Sequence, residues 1–315
     1  MPALTGAQIP KGAQWPSVRV NKRGGAEAGP TGAPWLNANG WLIRRARHLE
    51  PGKPVVIDAQ PPAGARPGSY VLAAVEAMTY GAAWAVTHTP ETWPGVRGAI
   101  QFFTAHAEWR EWAPVAALTV VSDFTGDDEF LGDEFLNLLT RRQVGLRLAA
   151  PGNVAALQGA GAAVWASKKP VPYAQYMGWI RSGGTLIVQG EANSRTEGKG
   201  RVIGRAEEWD DVYAAVTGTH LAMTRRTDVL RLWNAGSFNS FYQAAPDGRR
   251  GVAHLVNYAG NRSSDDTSIW LSKPWKKATL TTLDKQTPLK PMATNGGIEL
   301  SLPPVGVYAA IELEA

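Results

Sequence analysis

"VVSDFTGDDEFLGDEFLNLLTRR" runs from Val120 to Arg142 and decides the fold of the middle of the chain. Its apolar start, which belongs to the longer run VAALTVVS, is typical of a buried strand, and residues 127–142 have the spacing of an amphipathic helix. The segments that follow alternate in the same way between short apolar runs and helical patterns. This alternation predicts an open, doubly wound parallel sheet over residues 113–200.

Six acidic residues within twelve positions raise the question of a metal or acid/base site in this stretch. Five of them suit a helix: three fall in its first turn and two on its outer side, with arginines in the last turn. Thr125 or Asp127 is expected to cap the helix. The expected buried face consists of Phe130, Leu131, Phe135, Leu138 and Leu139. The sixth acid, Asp123, ends the strand, where doubly wound sheets bind ligands. It is a candidate binding residue, and capping or turn formation is the alternative.

The flanking segments have different patterns. Residues 1–34, rich in Gly, Pro and Ala, predict an irregular arm. Residues 35–112 read as helix, strand, helix, strand, helix, which is typical of part of a βα barrel. Residues 201–315 predict an antiparallel β-sandwich, after a helix at 207–216, from seven alternating runs: VLRLWNAG, SFYQAA, GVAHLVNYAG, TSIWLS, KATLTTLD, GIELSLP and GVYAAIEL. The fold class is therefore α/β, with a partial barrel, a doubly wound domain and a C-terminal sandwich.

Composition limits the chemistry of the 315 residues. The absence of cysteine excludes disulfides, thiolate zinc sites and a cysteine nucleophile, and the five scattered histidines predict no metal centre. No cofactor motif is present, so we expect no cofactor. The net charge of +5 resides in residues 1–50, without a nucleic-acid motif. No apolar run is long enough for a membrane span and no signal peptide is visible, so we expect a soluble protein of undetermined location that binds neither nucleic acid nor membrane.

The candidate site residues stand at the ends of the two strands of the partial barrel. Asp58 ends the apolar run in PVVIDA, either as a catalytic or sugar-binding carboxylate or as a residue that caps a loop or binds an arginine such as Arg66. His88 follows the strand AAWAVT, between Trp84 and Trp93, and the three side chains are candidate sugar contacts. Thirteen tryptophans in the whole chain favour a carbohydrate ligand. Glu76, inside an apolar helix, is either a buried hydrogen-bonded group or a surface residue.

From about residue 35 onward, the chain resembles the back half of bacterial β-galactosidase-type glycoside hydrolases of family 42. VVIDAQPP and YVLAAVEAMTYGAAWAV look like late barrel elements, and VAALTVVSDFTGDDEFLGDEFLNLLTRRQV with AAVWAS and GWIRSGGTLIV looks like the amidotransferase-like trimerisation domain. GVAHLVNYAG and LPPVGVYAAIEL look like the C-terminal β-domain. The resemblance implies a bacterial carbohydrate context, a class I glutamine amidotransferase fold without its activity, and a homo-oligomer.

The chain also departs from this pattern. Only about 110 residues precede the doubly wound unit, whereas a complete barrel needs roughly 200 or more. The family's acid/base would lie in the missing part, and the family would supply a glutamate where Asp58 stands, so the catalytic pair cannot be carried over.

Three hypotheses follow from the sequence. The first is a glycoside hydrolase-like protein that binds or hydrolyses a carbohydrate. The second is a non-catalytic carbohydrate-binding or scaffold subunit, in which a partner chain completes the barrel. The third is a nucleotide or small-molecule binder through the SDFTGDD loop around Asp123, which lacks a glycine fingerprint.

Overall fold

The structure is a computed structural model. It describes residues 6–29, 33–205, 211–223, 227–259 and 266–315. Within these ranges the chain divides into two compact units, one formed by Met1–Pro114 with Leu230–Ala315 and one by Val115–Val229. We call them unit 1 and unit 2.

The elements follow in chain order. The first half contains β1 (Ser17–Val18), β2 (Leu36–Asn37), α1 (Gly40–Leu49), β3 (Val56–Ile57), α2 (Pro67–Thr79), β4 (Ala83–Trp84), α3 (Trp93–Ala105), β5 (Ala113–Pro114), β6 (Leu118–Val121), α4 (Glu129–Arg141) and β7 (Leu146–Ala149). The second half contains β8 (Ala162–Trp165), α5 (Tyr173–Arg181), β9 (Thr185–Gln189), β10 (Arg195–Glu197), β11 (Gly200–Arg205), α6 (Val212–Ala222), β12 (Leu230–Trp233), β13 (Phe238–Ala244), β14 (Arg250–Asn257), β15 (Thr267–Ser272), β16 (Lys277–Thr281), β17 (Gln286–Leu289), β18 (Met292–Thr294), β19 (Gly297–Leu302) and β20 (Tyr308–Glu314). Short 3₁₀ helices lie at Ala107–Glu111, Gly126–Asp128 and Val154–Leu157.

Unit 2 is built on a six-stranded sheet of order β10-β11-β9-β8-β6-β7. All neighbouring pairs are parallel except β10–β11, which is antiparallel. Strands β6, β8 and β9 are buried at every position, as expected when both faces of a parallel sheet are covered. One face packs against Tyr176, Trp179 and Ile180 of α5. The alternation of strands and helices read from the sequence is thus present.

Residues near 200–222 differ from their predicted assignment. The sequence analysis places them at the start of the sandwich segment, but β11 pairs in parallel with β9 and belongs to the sheet of unit 2. The helix predicted at 207–216 is α6, which begins at Val212; residues 206–210 lie outside the described residues. A single six-residue strand has the same pattern in either sheet, so only its partner decides the assignment.

Two further sheets in unit 1 are antiparallel, one of order β12-β15-β19-β18 and one of order β17-β16-β20-β14-β13-β5. All seven strands that alternation predicts in residues 228–315 are present, and β17 and β18 are two short additional strands. Val252, Val256, Tyr308 and Ala310 of the six-stranded sheet share a core with helices α2 and α3. This shared core explains why the two ends of the chain form one unit.

The segment with the barrel-like pattern forms a small βαβ arrangement. Strands β3 and β4 are parallel, with Val56 opposite Ala83, and α2 connects them. An isolated parallel bridge joins Gln8 to Val55. The arm is more ordered than expected, because β1 pairs with β2 and Trp15 packs on Tyr70 and Trp84. Two-residue strands leave no periodicity in the sequence.

Candidate functional site

The carboxyl ends of β3 and β4 meet at one edge of the parallel pair in unit 1. Asp58 follows β3 directly, and residues 85–92 follow β4. The side chain of Gln60 connects the two strand ends, since its Nε2 donates to Asp58 Oδ1 at 3.1 Å and to the Ala85 carbonyl at 3.3 Å. This edge is where parallel α/β folds place their ligands.

Asp58 is exposed at this edge. Among the described residues it forms no ion pair, so it does not bind Arg66 as the alternative interpretation expected. Its one hydrogen-bond donor is Gln60, which leaves acceptor positions of the carboxylate open to a ligand.

His88 and Trp93 form an aromatic surface in the segment that follows β4. Their rings stack at a centroid distance of 4.7 Å with an interplanar angle of 22°, and 39% of Trp93 remains exposed. A tight turn fixes the connection between them: Thr92 Oγ1 accepts from the Thr89 N–H at 2.9 Å. Trp93 then begins α3, with Pro94 next to it. The two rings are therefore held on a short turn at the start of a helix.

Trp84 is placed differently from the other two predicted sugar contacts. It is half-buried, its Nε1 donates to the Ala59 carbonyl at 3.0 Å, and its ring packs edge-on against Trp15 at 5.6 Å. Its indole N–H therefore connects β4 to the segment after β3 and is not open to a ligand.

Asp123 lies at the carboxyl end of β6 in unit 2 and forms an ion pair with Lys169, which follows β8. This ion pair raises the pKa of the Lys169 ammonium. The next residue, Phe124, is buried with a φ of 53°, and its N–H donates to Ser122 Oγ. Asp123 thus lies in a tight turn and carries a partner from its own chain.

The remaining acids of this stretch correct the prediction of helix capping. Neither Thr125 nor Asp127 caps a helix through its side chain, because a 3₁₀ turn precedes α4 and Asp128 takes the N-cap position. Asp128 is 1% exposed, and its carboxylate accepts from Ser167 Oγ at 2.6 Å and from the Lys168 N–H at 2.9 Å. It connects the ends of β6 and β8. The predicted buried face is also wrong at one position, since Phe130 is 69% exposed.

The sequence left Glu76 as either a buried hydrogen-bonded group or a surface residue, and the structure shows the first. Its carboxylate accepts from the backbone N–H of Asn39 at 2.6 Å, from Asn39 Nδ2 at 2.8 Å and from the hydroxyl of Tyr258. Burial raises the pKa of the Glu76 carboxyl, and the bonds from Tyr258 and Asn39 oppose that shift. All these contacts are internal, so Glu76 holds three segments together and does not face a ligand.

Two polar residues at the β3–β4 edge are absent from the sequence-based candidates. Gln60 stands two positions after Asp58, and Glu91 is the one acid in the segment 85–92. A hydrogen bond from the Thr89 side chain lowers the pKa of the exposed Glu91 carboxyl. The position of Gln60 just after a strand is the signal that could have identified it, whereas Glu91, close to the start of α3, carries no such signal. Over the described residues, no cluster of three or more His, Asp or Glu side chains has the arrangement of a metal site.

The fold is similar to that of several solved glycosidases. The structure is similar to alpha-L-fucosidase isoenzyme 2 from Paenibacillus thiaminolyticus, with a TM-score of 0.64, 10% sequence identity, and coverage of 87% of this chain and 62% of that chain. It is also similar to a rhamnosidase from Novosphingobium sp. PP1Y, with a TM-score of 0.57, 11% identity, and coverage of 97% and 34%.

A third similar structure is the beta-galactosidase from Bacillus circulans sp. alkalophilus, with a TM-score of 0.53, 10% identity, and coverage of 88% of this chain and 58% of that chain. The chain thus spans less than two thirds of each of these proteins. No protein-family model and no curated protein matches the sequence. No helix in the described ranges has the length and apolar character needed to cross a membrane. At these identities the similarity shows a glycoside hydrolase-like fold.

Proposed function

We propose that this chain is a glycoside hydrolase-like protein that binds a carbohydrate at the carboxyl edge of β3 and β4. The observation that supports this most directly is the exposed Trp93 stacked on His88 in the segment after β4, together with the exposed carboxylate of Asp58 after β3, which forms no ion pair among the described residues. Pyranose rings have apolar faces that stack on aromatic side chains, and hydroxyls around their rim bind carboxylates and amides. The similar folds of the fucosidase and the beta-galactosidase agree with this ligand class.

Each residue of the edge has a distinct role in this proposal. Trp93 provides the apolar face, and His88 supports its ring and adds a polar rim. Asp58 accepts hydrogen bonds from sugar hydroxyls. Gln60 holds the Asp58 carboxylate in place, because its side chain is also bonded to the Ala85 carbonyl just after β4. Trp84 acts indirectly, through its bond to the Ala59 carbonyl.

Hydrolysis requires a pair of carboxylates across the scissile bond, separated by about 5 Å or by about 6.5–9.5 Å. Asp58 is one candidate, and Glu91 in the segment after β4 is the other acid of this edge. The lowered pKa of Glu91 keeps it ionised, which suits a nucleophile or base and not the protonated acid. Carbohydrate binding is therefore the function that we propose, and hydrolysis in addition requires a second carboxylate that acts as the acid.

The finer architecture belongs to the same proposal. The parallel order β7-β6-β8-β9-β11 is the 2-1-3-4-5 order of flavodoxin-like sheets, which supports an amidotransferase-like domain in unit 2. The two antiparallel sheets of unit 1 support a C-terminal sandwich, and the β3–β4 pair supports a barrel remnant. A homo-oligomer, or a partner chain that completes the barrel, is expected on the same grounds.

The test combines turnover with binding. Chromogenic fucosides, rhamnosides and galactosides are incubated with the parent protein, Asp58→Asn, Glu91→Gln and the control Asp247→Asn, which changes an exposed acid in the turn between β13 and β14. Turnover lost in Asp58→Asn and Glu91→Gln but kept in the control supports hydrolysis. If no substrate is turned over, calorimetric titration with the free sugars shows whether the protein binds a carbohydrate. Saturable binding weakened by Asp58→Asn supports the non-catalytic form, and no binding of any of the sugars contradicts the proposal.

A further inference from the structure

A small pocket of unit 1, partly open to solvent, lies at the opposite end of the β3–β4 pair from Asp58. Gly81, which lines it, precedes β4, so the pocket is on the amino side of the parallel strands and not at the edge that carries Asp58. Besides Gly81, the residues that matter for its chemistry are Arg47, His106, Arg110, Gln243 and His254.

Arg47 is held in a fixed position in the wall of this pocket. Its Nη1 donates to the Tyr80 carbonyl at 3.0 Å. Gly81 has a φ of 81°, and a Cβ at this position would come within 2.4 Å of the same nitrogen. A residue with a side chain would therefore displace the guanidinium. Arginine has five N–H donors, so Arg47 retains donors for a ligand beyond the one used here.

The polar groups of the floor are satisfied by one another. Gln243 Nε2 donates to the carbonyls of Trp109 and Trp112 at 3.1 and 2.9 Å, which assigns its Oε1 as the acceptor for His254 Nε2 at 3.1 Å. His254 Nδ1 then accepts from the Tyr308 hydroxyl at 2.6 Å. His254 is thus neutral with its proton on Nε2. This network leaves the Gln243 oxygen occupied, so the floor offers a ligand no strong acceptor.

His106 adds a group that adapts to the ligand. Its Nδ1 lies 2.8 Å from the Phe102 carbonyl and must carry a proton there, because a carbonyl oxygen can only accept. The ring stacks on Trp109 at 4.2 Å, which fixes its plane. The remaining Nε2 can accept a hydrogen bond from a hydroxyl of the ligand.

The charge of the pocket is positive. Its lining contains no Asp or Glu, and within the described ranges neither Arg47 nor Arg110 has an ion-pair partner. The carboxyl ends of α1, α2 and α3 lie nearby and oppose this charge by roughly half an elementary charge each. Two full guanidinium charges, with directed N–H groups, exceed that sum.

We propose that this pocket binds a small oxyanion, a phosphate or carboxylate group, through Arg47, Arg110 and His106. Guanidinium donors match such groups in both charge and geometry. The pocket is small and partly open to solvent, which restricts the ligand to a free anion or to the terminal group of a small metabolite at its mouth. The site does not depend on the carbohydrate proposal, because it shares no residue with the Asp58 edge.

The experiment is a calorimetric titration of the full chain with inorganic phosphate, and separately with glucuronate against neutral glucose, at constant ionic strength. We expect one saturable anion site per chain, weakened roughly tenfold or more by Arg47→Gln and by Arg110→Gln. Arg97→Gln, which changes an exposed arginine of α3 that does not line the pocket, is the control and leaves the affinity unchanged.

Each outcome decides the proposal. Binding of phosphate, glucuronate or both with this mutational pattern supports the site and identifies the preferred group. Absence of saturable binding of either anion, or equal weakening in Arg97→Gln, overturns it. Circular dichroism checks that the variants are folded. If Arg47→Gln does not fold, Arg110→Gln alone tests the proposal, because Arg110 makes no described hydrogen bond to the backbone of another element.

Discussion

Asp58 and Glu76 are two carboxylates of the same unit in opposite environments. Asp58 is exposed at the end of β3 and has one side-chain donor, whereas Glu76 is fully enclosed in α2 and accepts from two other segments of the chain. An exposed carboxylate keeps its acceptor positions for a ligand, while an enclosed one is used entirely by the fold. Solvent access, and not residue type, therefore separates a candidate site residue from a structural one.

The largest effect is expected from Glu76. Glu76→Leu leaves the backbone N–H of Asn39, one N–H of its side-chain amide and the hydroxyl of Tyr258 buried without the acceptor they have in Glu76, so the free energy of unfolding should fall by about 3 kcal/mol or more. Glu76→Gln, whose amide N–H₂ faces the donor Asn39 Nδ2, should cost about 1–3 kcal/mol. Urea unfolding measures both. The control Glu108→Gln, at an exposed position, should stay within about 0.5 kcal/mol, and a comparable loss there would remove the contrast.

The second prediction concerns the pH dependence of stability. Burial, with a smaller effect from the charge of His106, lowers the pKa of His254 from the ordinary 6.5 to about 3. The unfolded chain therefore binds this proton at a higher pH than the folded chain does, so stability is full above about pH 6.5 and is lost as the pH falls. Between pH 6.5 and 5.5 the loss due to His254 should be about 1 kcal/mol.

Unfolding of the parent and of His254→Gln at the two pH values checks this loss. The variant should lack that part of the pH dependence, while His88→Gln, at an exposed position, should retain it. Parallel pH profiles of parent and His254→Gln would show that the buried imidazole does not carry the effect.

Trp93 tests the exposed side of the comparison. Trp93→Ala removes the stacking surface, so sugar affinity should fall roughly tenfold, which corresponds to the ~1–1.5 kcal/mol of a stacked ring. Trp233→Ala is a matched control, because Trp233 is 44% exposed against 39% for Trp93 but lies on β12. Calorimetric titration with the sugar found in the panel measures both variants. Equal affinity losses would make the effect nonspecific.

The smallest effect on stability is expected at Asp58. Asp58→Asn keeps the shape of an exposed side chain with a single local hydrogen bond, so the free energy of unfolding should change by less than about 0.5 kcal/mol. Thermal unfolding measures this change. A large destabilisation would mean that Asp58 supports the fold as Glu76 does, and that loss of turnover in this variant reports on folding.

Much of the fold follows from local patterns. The strand and helix in residues 118–141, the alternation through β9 and seven antiparallel strands are visible as periodicities of the sequence. The candidate edge follows as well, because Asp58 and His88 stand just after apolar runs. Phe130 shows the limit: its position fits the apolar stripe of α4, yet the side chain is 69% exposed. An apolar stripe indicates which side of a helix faces the core, but the neighbouring elements decide which residues of the stripe are buried.

The sequence by itself determined the longer strands and helices, because backbone geometry fixes the repeat of buried positions in each. Only the tertiary structure decided the partners. β11 joined the parallel sheet, Asp128 bound Ser167, and Glu76 accepted from Tyr258, which is 182 residues away along the chain. The physical reason is range: periodicity is a property of neighbouring residues, whereas the environment of a polar side chain depends on contacts between distant ones. For that reason the sequence could name Asp58 as a site candidate but left open whether Glu76 is a buried anchor or a surface residue.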